Sequence, residues 1–180
     1  NLEGLDLRHQ VDGYSDIYDS YYLDKWKEAF QTVAKGVFRE YLQTRHDEMV
    51  QAFQAAGSNG RSFGLLVLGE AAEENKQVIL GFAQDSSKQV KETLLHILVK
   101  QEDWEEDILK LLSSKKAGER ETAIRVLTGW DTGKYSPVLG EALEKEKNGK
   151  VKNLLETALH VSHEEGNGGG KAITREDLVK

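Results

Sequence analysis

The stretch Gly129-Trp-Asp-Thr-Gly-Lys-Tyr135 has the residue types of a phosphate-cradling loop. Such a loop needs four residues between its glycines and a Ser or Thr after the Lys, so that backbone N–H groups wrap the phosphates and the hydroxyl binds Mg²⁺. Here three residues separate Gly129 from Gly133 and Tyr135 follows Lys134, which excludes that chemistry. The triplet Asp131-Thr-Gly133 has the composition of an aspartic-protease motif, but those sites pair two carboxylates sharing a proton, and nothing else in the chain supplies the second. The stretch is expected to be an inter-helix loop with Trp130 packed over a joint.

His160 and His163, followed by Glu164 and Glu165, lie one helical turn apart. Two ligands fall short of the four that close a structural zinc site, and a histidine near a helix C-terminus already gains from the helix dipole. His9, His46 and His96 are isolated, and His96, between Leu95 and Ile97, is expected to be partly buried. The chain has no Cys, which removes thiolate ligands, disulfides and Cys nucleophiles together. No metal, cofactor or catalytic residue is therefore expected, and the chain reads as a non-enzyme.

A third pattern is basic. Lys88 and Lys91, then Lys115, Lys116 and Arg120, then Lys147, Lys150 and Lys152 recur where helices are expected to start. Positive charge at a helix N-terminus is unfavourable by about 0.3–1 kcal/mol, so its recurrence needs a reason. One reason is a ladder of acid–base pairs between neighbouring structural units. The other is an anionic partner, nucleic acid included. A formal charge of −7 argues against nucleic-acid binding by the chain as a whole, and the acidic run Glu102-Asp-Trp-Glu-Glu-Asp107 opposes an anion nearby.

The elements that position these residues are written as repeats. Val90-Lys-Glu-Thr-Leu-Leu-His-Ile-Leu98, Glu119-Arg-Glu-Thr-Ala-Ile-Arg-Val-Leu127 and Val151-Lys-Asn-Leu-Leu-Glu-Thr-Ala-Leu159 share one phrase, at spacings of 127 − 98 = 29 and 159 − 127 = 32 residues. A period in that range marks stacked supersecondary units. Core positions fall at i, i+4, i+7 and i+8, and stepping back 29 residues from Val90 finds a weaker copy at Arg61, Leu65, Leu68 and Gly69. A second phrase alternates with the first: Ile79, Phe82, Ala83; Ile108, Leu111, Leu112; Leu139, Ala142, Leu143. Two helical phrases in alternation predict helical hairpins, 46–56 with 61–73, 75–84 with 87–99, 104–112 with 116–128, and 135–146 with 149–163. Turns whose residues can cap the following helix are expected at Gly57–Gly60, Asp85–Ser87, Ser113–Ser114 and Asn148–Gly149, with Ser136 as an N-cap and Pro137 at the first helical position.

Before the array, 1–45 reads as an acidic aromatic lead-in followed by a long capping helix from about Leu23 to Thr44. The array spans 46–165. After it, 166–180 combines a Gly-rich tether with a capping-box signal at Thr174–Asp177. With Asn1 at its start the chain reads as either a processed protein or a piece of a longer one, and the helix signal running out at Lys180 implies that the natural chain continues. No apolar run approaches the roughly 18 residues of a membrane span, no signal peptide is visible, and a cytoplasmic location is expected.

The repeat phrases resemble HEAT repeats of the short kind, about 30 residues long, which tend to carry an Asp five residues before a Val and six before a basic residue. Asp85, Val90 and Lys91 match this spacing; Ser114, Glu119 and Arg120 keep the basic residue; Glu146, Val151 and Lys152 match with Glu for Asp. More loosely, repeats followed by a Gly-rich tether are similar to segments of large bacterial proteins of the molybdate-metabolism-regulator type. The resemblance implies an all-α, armadillo-type right-handed solenoid of about four hairpins that serves as a scaffold or binds a protein partner or neighbouring domains. Candidate contacts are Lys88, Lys91, Lys115, Lys116, Arg120, Lys150 and Lys152. The alternative is a nucleic-acid-binding module: helical-repeat glycosylases share the implied fold, and Trp104, Arg125, Trp130 and Asp131 are residue types they use.

Overall fold

The computed structural model describes residues 27–167, with side chains placed over 36–160. The lead-in, the tether and His163 lie outside what is described in side-chain detail. The described residues are all-helical: α1 (Lys27–Thr44), α2 (His46–Ala55), α3 (Ser58–Gly69), α4 (Lys76–Gly81, continued by a 3-10 turn Phe82–Gln84), α5 (Lys88–Leu98), α6 (Glu105–Leu112), α7 (Ala117–Lys145) and α8 (Gly149–Asn167). They fall into two compact units, divided between Glu102 and Asp103.

In the first unit α2 buries Met49, Ala52 and Phe53 on one helical face. α1 lies against α2 and α3, with the Phe38 ring 6.0 Å from that of Phe53 and edge-on to that of Phe63 at 5.4 Å. α3 is buried more broadly, at Ser62, Phe63, Gly64, Leu65, Val67 and Leu68, because α2 and α5 cover different sides of it. α5 buries Val90, Leu94, Ile97 and Leu98, the i, i+4, i+7, i+8 face expected from its phrase. Ser87 caps it by accepting from the Val90 N–H at 3.4 Å.

In the second unit α6 buries Ile108 and Leu112, and Trp104 is sealed just ahead of it. α7 packs on both α6 and α8. Its first arm buries Glu121, Thr122, Ala123, Ile124, Val126 and Leu127, and its second arm Tyr135 and Leu139. α8 answers with Val151 and Leu155. Asn148 Oδ1 caps α8, accepting from the N–H groups of Lys150 and Val151 at 3.1 and 3.2 Å.

Two expectations are corrected here. Gly129–Tyr135 is not a loop: α7 breaks at a single residue, Asp131, whose φ of −165° and ψ of 104° are extended. Asp131 Oδ1 accepts the Lys134 N–H at 2.9 Å and so caps the second arm in place of Ser136. Pro137 then falls inside the helix. Its missing N–H leaves the Gly133 carbonyl open, and the Ser136 hydroxyl donates to that carbonyl at 3.0 Å.

The second correction concerns register. The buried set of α3, from Ser62 to Leu68, matches the buried set Glu121 to Leu127 residue for residue at a spacing of 121 − 62 = 59. Arg61 therefore corresponds to Arg120, not to Glu119 as stepping back 29 residues implied. α3 also begins at Ser58, ahead of the expected Arg61, since the Arg61 N–H bonds the Gly57 carbonyl at 2.9 Å and closes the first turn.

At the matched positions Gly64 and Ala123, the first unit needs the smaller residue. A Cβ on Gly64 would lie 2.5 Å from Phe53 Cγ, in a ring already packed against Phe38. Gly64→Ala is expected to lower stability by about 1–3 kcal/mol through overpacking, despite alanine's better helix propensity. Urea denaturation measures this, and an unchanged or raised midpoint would refute the close approach of α2 and α3.

Candidate functional site

The basic residues at second-helix starts are first of all structural. Arg61, at the start of α3, donates from Nε to Asp85 Oδ2 at 2.7 Å and from Nη2 to Oδ1 at 3.1 Å. Its Nη1 holds the Ala56 carbonyl at 2.8 Å. Asp85 lies in the turn of the following hairpin, where its Oδ1 also accepts the Ser87 N–H at 2.8 Å. One carboxylate thus organises a turn and anchors the preceding hairpin.

The second unit repeats the arrangement. Arg120 donates from Nε to Glu146 Oε2 at 2.7 Å, from Nη2 to Oε1 at 2.8 Å, and from Nη1 to the Ser114 carbonyl at 2.8 Å. Glu146 Oε1 accepts the N–H groups of Lys147 and Asn148 at 2.9 and 2.8 Å. The side chains of Arg120 and Glu146 are 18% and 4% exposed. The guanidinium holds the Glu146 carboxyl below its ordinary value, helped by the two N–H groups and opposed by burial. The carboxylate in turn raises Arg120. The acid–base ladder expected from the sequence is present inside each unit, and Arg120 is one of its rungs. Arg61, read from the sequence as a core position, is the other.

The remaining candidate contacts divide. Lys150 Nζ reaches Glu121 Oε2 at 3.0 Å, adding a second bond across the hairpins of the second unit. At the matched position of the first unit stands Ser62, whose buried hydroxyl has no hydrogen-bond partner among the described residues. Lys116 pairs with Glu119 at 3.4 Å. Lys88 pairs loosely with Glu92 at 3.7 Å and stays 90% exposed, a geometry worth little. Lys91 is half-buried, and Lys115 and Lys152 are exposed.

Lys115 and Arg120 meet at an open groove of about 570 Å³. The groove lies between the turn after α6 and the turn before α8, and Lys145 and Lys147 stand on its other rim. Leu112, Val138 and Ala142 supply its apolar surface, with Ile124 and Leu155 sealed beneath them. Lys116, Lys150 and Lys152 do not line it. Lys145 ends a first helix instead of starting a second one, so a search for basic residues at second-helix starts passes over it.

On the edge where first helices begin, a different pair of bonds recurs at repeat spacing. His46 Nε2 meets Asn75 Oδ1 at 3.0 Å across 29 residues, and the Tyr135 hydroxyl donates to Glu105 Oε1 at 2.7 Å across 30. Asn75 is buried and donates to the Ala71 carbonyl at 2.9 Å, which orients its oxygen toward His46. Lys134 Nζ contacts both the Tyr135 hydroxyl, at 2.9 Å, and Glu105, at 3.0 Å. A Lys–Tyr pair serves as an acid–base group when the phenol is lowered toward neutrality. Burial and the Glu105 carboxylate instead raise Tyr135 despite Lys134. The cluster is a knot between α6 and the second arm of α7.

His96 corrects another expectation. It is exposed, on the outward face of α5, with its Nε2 3.1 Å from Lys100 Nζ. Among the described residues no three His, Asp or Glu side chains converge as metal ligands, and no helix is long and apolar enough to cross a membrane. Compared with protein-family models, curated proteins and solved structures, the chain finds no match in any of the three.

Arg120→Met leaves the Glu146 carboxylate without its guanidinium. The expected cost is about 2–3 kcal/mol, below the roughly 3–5 of a sealed pair because the groove admits water. Glu146 contributes stability in full above its ordinary value of 4.5 and loses it as pH falls through its lowered folded value. Glu146→Gln is therefore expected to flatten the loss of stability on acidification below about pH 4.5; an unchanged acid limb in urea titrations would contradict the pairing. His46 has the opposite sign. Its hydrogen bond to Asn75, reinforced by Asp47, raises it above 6.5, so its contribution is present below pH 6.5 and lost as pH rises through the folded value. An NMR titration of the His46 ring is expected to show a midpoint above 6.5 that falls in Asn75→Ala.

Proposed function

We propose that the chain is a non-catalytic interaction or scaffold module of the cytoplasm, its hairpins stacked as a right-handed solenoid of about four HEAT-like repeats. The observation that supports this most is the groove of the second unit. It is open, partly apolar, and rimmed by Lys115 and Lys147, which form no ion pair among the described residues. The repeated resemblance in sequence and the recurring Arg–acid pairs support the HEAT-like reading, which is a fold-level analogy where function is concerned.

The nucleic-acid reading is weaker on physical grounds. Of the seven basic candidates, Arg120, Lys150, Lys116 and Lys88 each face a carboxylate. Phosphate binding gains from cations free to release counter-ions, and paired cations supply less of that gain.

Panning a peptide-display library against the chain tests the module reading directly, with duplex DNA titrated in parallel at low salt. Enrichment of a shared linear motif, with no DNA binding, is the expected outcome. No enrichment, or DNA binding that weakens steeply with salt, would overturn it.

A further inference from the structure

We infer that the groove of the second unit recognises an acidic linear peptide carrying an apolar anchor, with Lys115, Lys145 and Lys147 receiving its carboxylates. The inference rests on the interaction-module reading and names the class of partner.

The first observation is local charge inversion. The groove is lined by four cations, Lys115, Arg120, Lys145 and Lys147, and two carboxylates, Glu141 and Glu146, a balance of 4 − 2 = +2. The chain as a whole carries −7. Arg120 neutralises Glu146 at close range. Glu141 stands 3.9 Å from Lys145 with both side chains more than 70% exposed, so water screens that pair. The rim therefore presents ammonium groups, and a carboxylate-bearing ligand complements it.

The second observation is that these lysines are additions to a shared frame. Matching Arg120 to Arg61 and Glu146 to Asp85 gives spacings of 120 − 61 = 59 and 146 − 85 = 61. The same spacings pair Lys115 with Ala56, Lys145 with Gln84 and Lys147 with Ser86. The first unit forms the Arg–acid clamp without any of the three cations. Their role in the second unit lies outside the clamp.

The third observation separates a peptide from a polyanion. Leu112, Val138 and Ala142 line the groove beside the lysines. A volume of about 570 Å³ falls within the range of ligand clefts. A phosphate backbone gains nothing from an aliphatic wall, whereas a leucine or tyrosine side chain set between acidic residues fills it while its neighbours reach the rim.

The probe is a fluorescein-labelled dodecapeptide of three Glu-Leu-Asp-Tyr repeats, titrated by anisotropy with the whole chain at low ionic strength. Saturable binding is expected, weakened about tenfold or more by K115E/K145E/K147E, since rim charges act on association and salt dependence. The neutral variant K115Q/K145Q/K147Q is expected to fall between, and thermal melts matched to the parent show that the fold is kept. A Gln-Leu-Asn-Tyr peptide and a Glu-Ser-Asp-Ser peptide are each expected to bind about tenfold more weakly, for want of charge and of anchor respectively. No saturable binding, binding indifferent to both triple variants, or equal binding of a single-stranded DNA 12-mer would overturn the inference. If display-selected peptides bind and the triple variants leave them unaffected, the module reading stands and the groove assignment falls. If neither selected peptides nor the dodecapeptide bind, both fall.

Discussion

A guanidinium seated on the carboxylate of the next hairpin's turn, and holding a carbonyl in the turn of its own hairpin, sets the geometry of each unit. Arg61 and Asp85 do this in the first, Arg120 and Glu146 in the second. Fork-on-fork geometry fixes direction as well as distance. Because the same carboxylate also accepts N–H groups that open the following helix, the pair couples hairpin spacing to helix initiation. The apolar faces then meet helix on helix: α3, with Leu65 and Leu68 buried, packs on α5, with Val90 and Leu94 buried, and α7, with Ile124 and Leu127 buried, packs on α8, with Val151 and Leu155 buried.

Opposite this edge, polar bonds join first helices at nearly the same sequence spacing but with different chemistry, His46 with Asn75 and Glu105 with Tyr135. Each unit is tied at both ends of its hairpins. The difference between the units lies in what surrounds the clamp. The first places Ala56, Gln84 and Ser86 there, and the second places lysines on an open groove. Structural cations and surface cations thus sit side by side in the second unit. Arg120 belongs to the first kind, Lys115 and Lys147 to the second.

Much of this was legible in the sequence where periodicity and capping agree. The i, i+4, i+7, i+8 face of α5, the Ser87 cap and the Asn148 cap follow from local residue chemistry. Failures came where one residue of register mattered. Arg61 reads as a defective core position because apolar spacing cannot see an ion pair that spans 24 residues. Ser136-Pro137 has the form of a helix start, yet Asp131 lies five residues earlier and its carboxylate already caps the helix there, accepting the Lys134 N–H. His96 looks enclosed between Leu95 and Ile97, although neighbours in sequence face different sides of a helix. The basic stripe was visible, but which of its members are paired is a matter of distances that spacing does not give.

A double-mutant cycle on Arg120→Met and Glu146→Leu, read by urea denaturation, tests the clamp most directly. The account predicts a coupling of about 1–3 kcal/mol, with the double variant more stable than the sum of the single losses implies. Additivity within about 0.5 kcal/mol would contradict it, because the two side chains would then hold the hairpins independently or not at all.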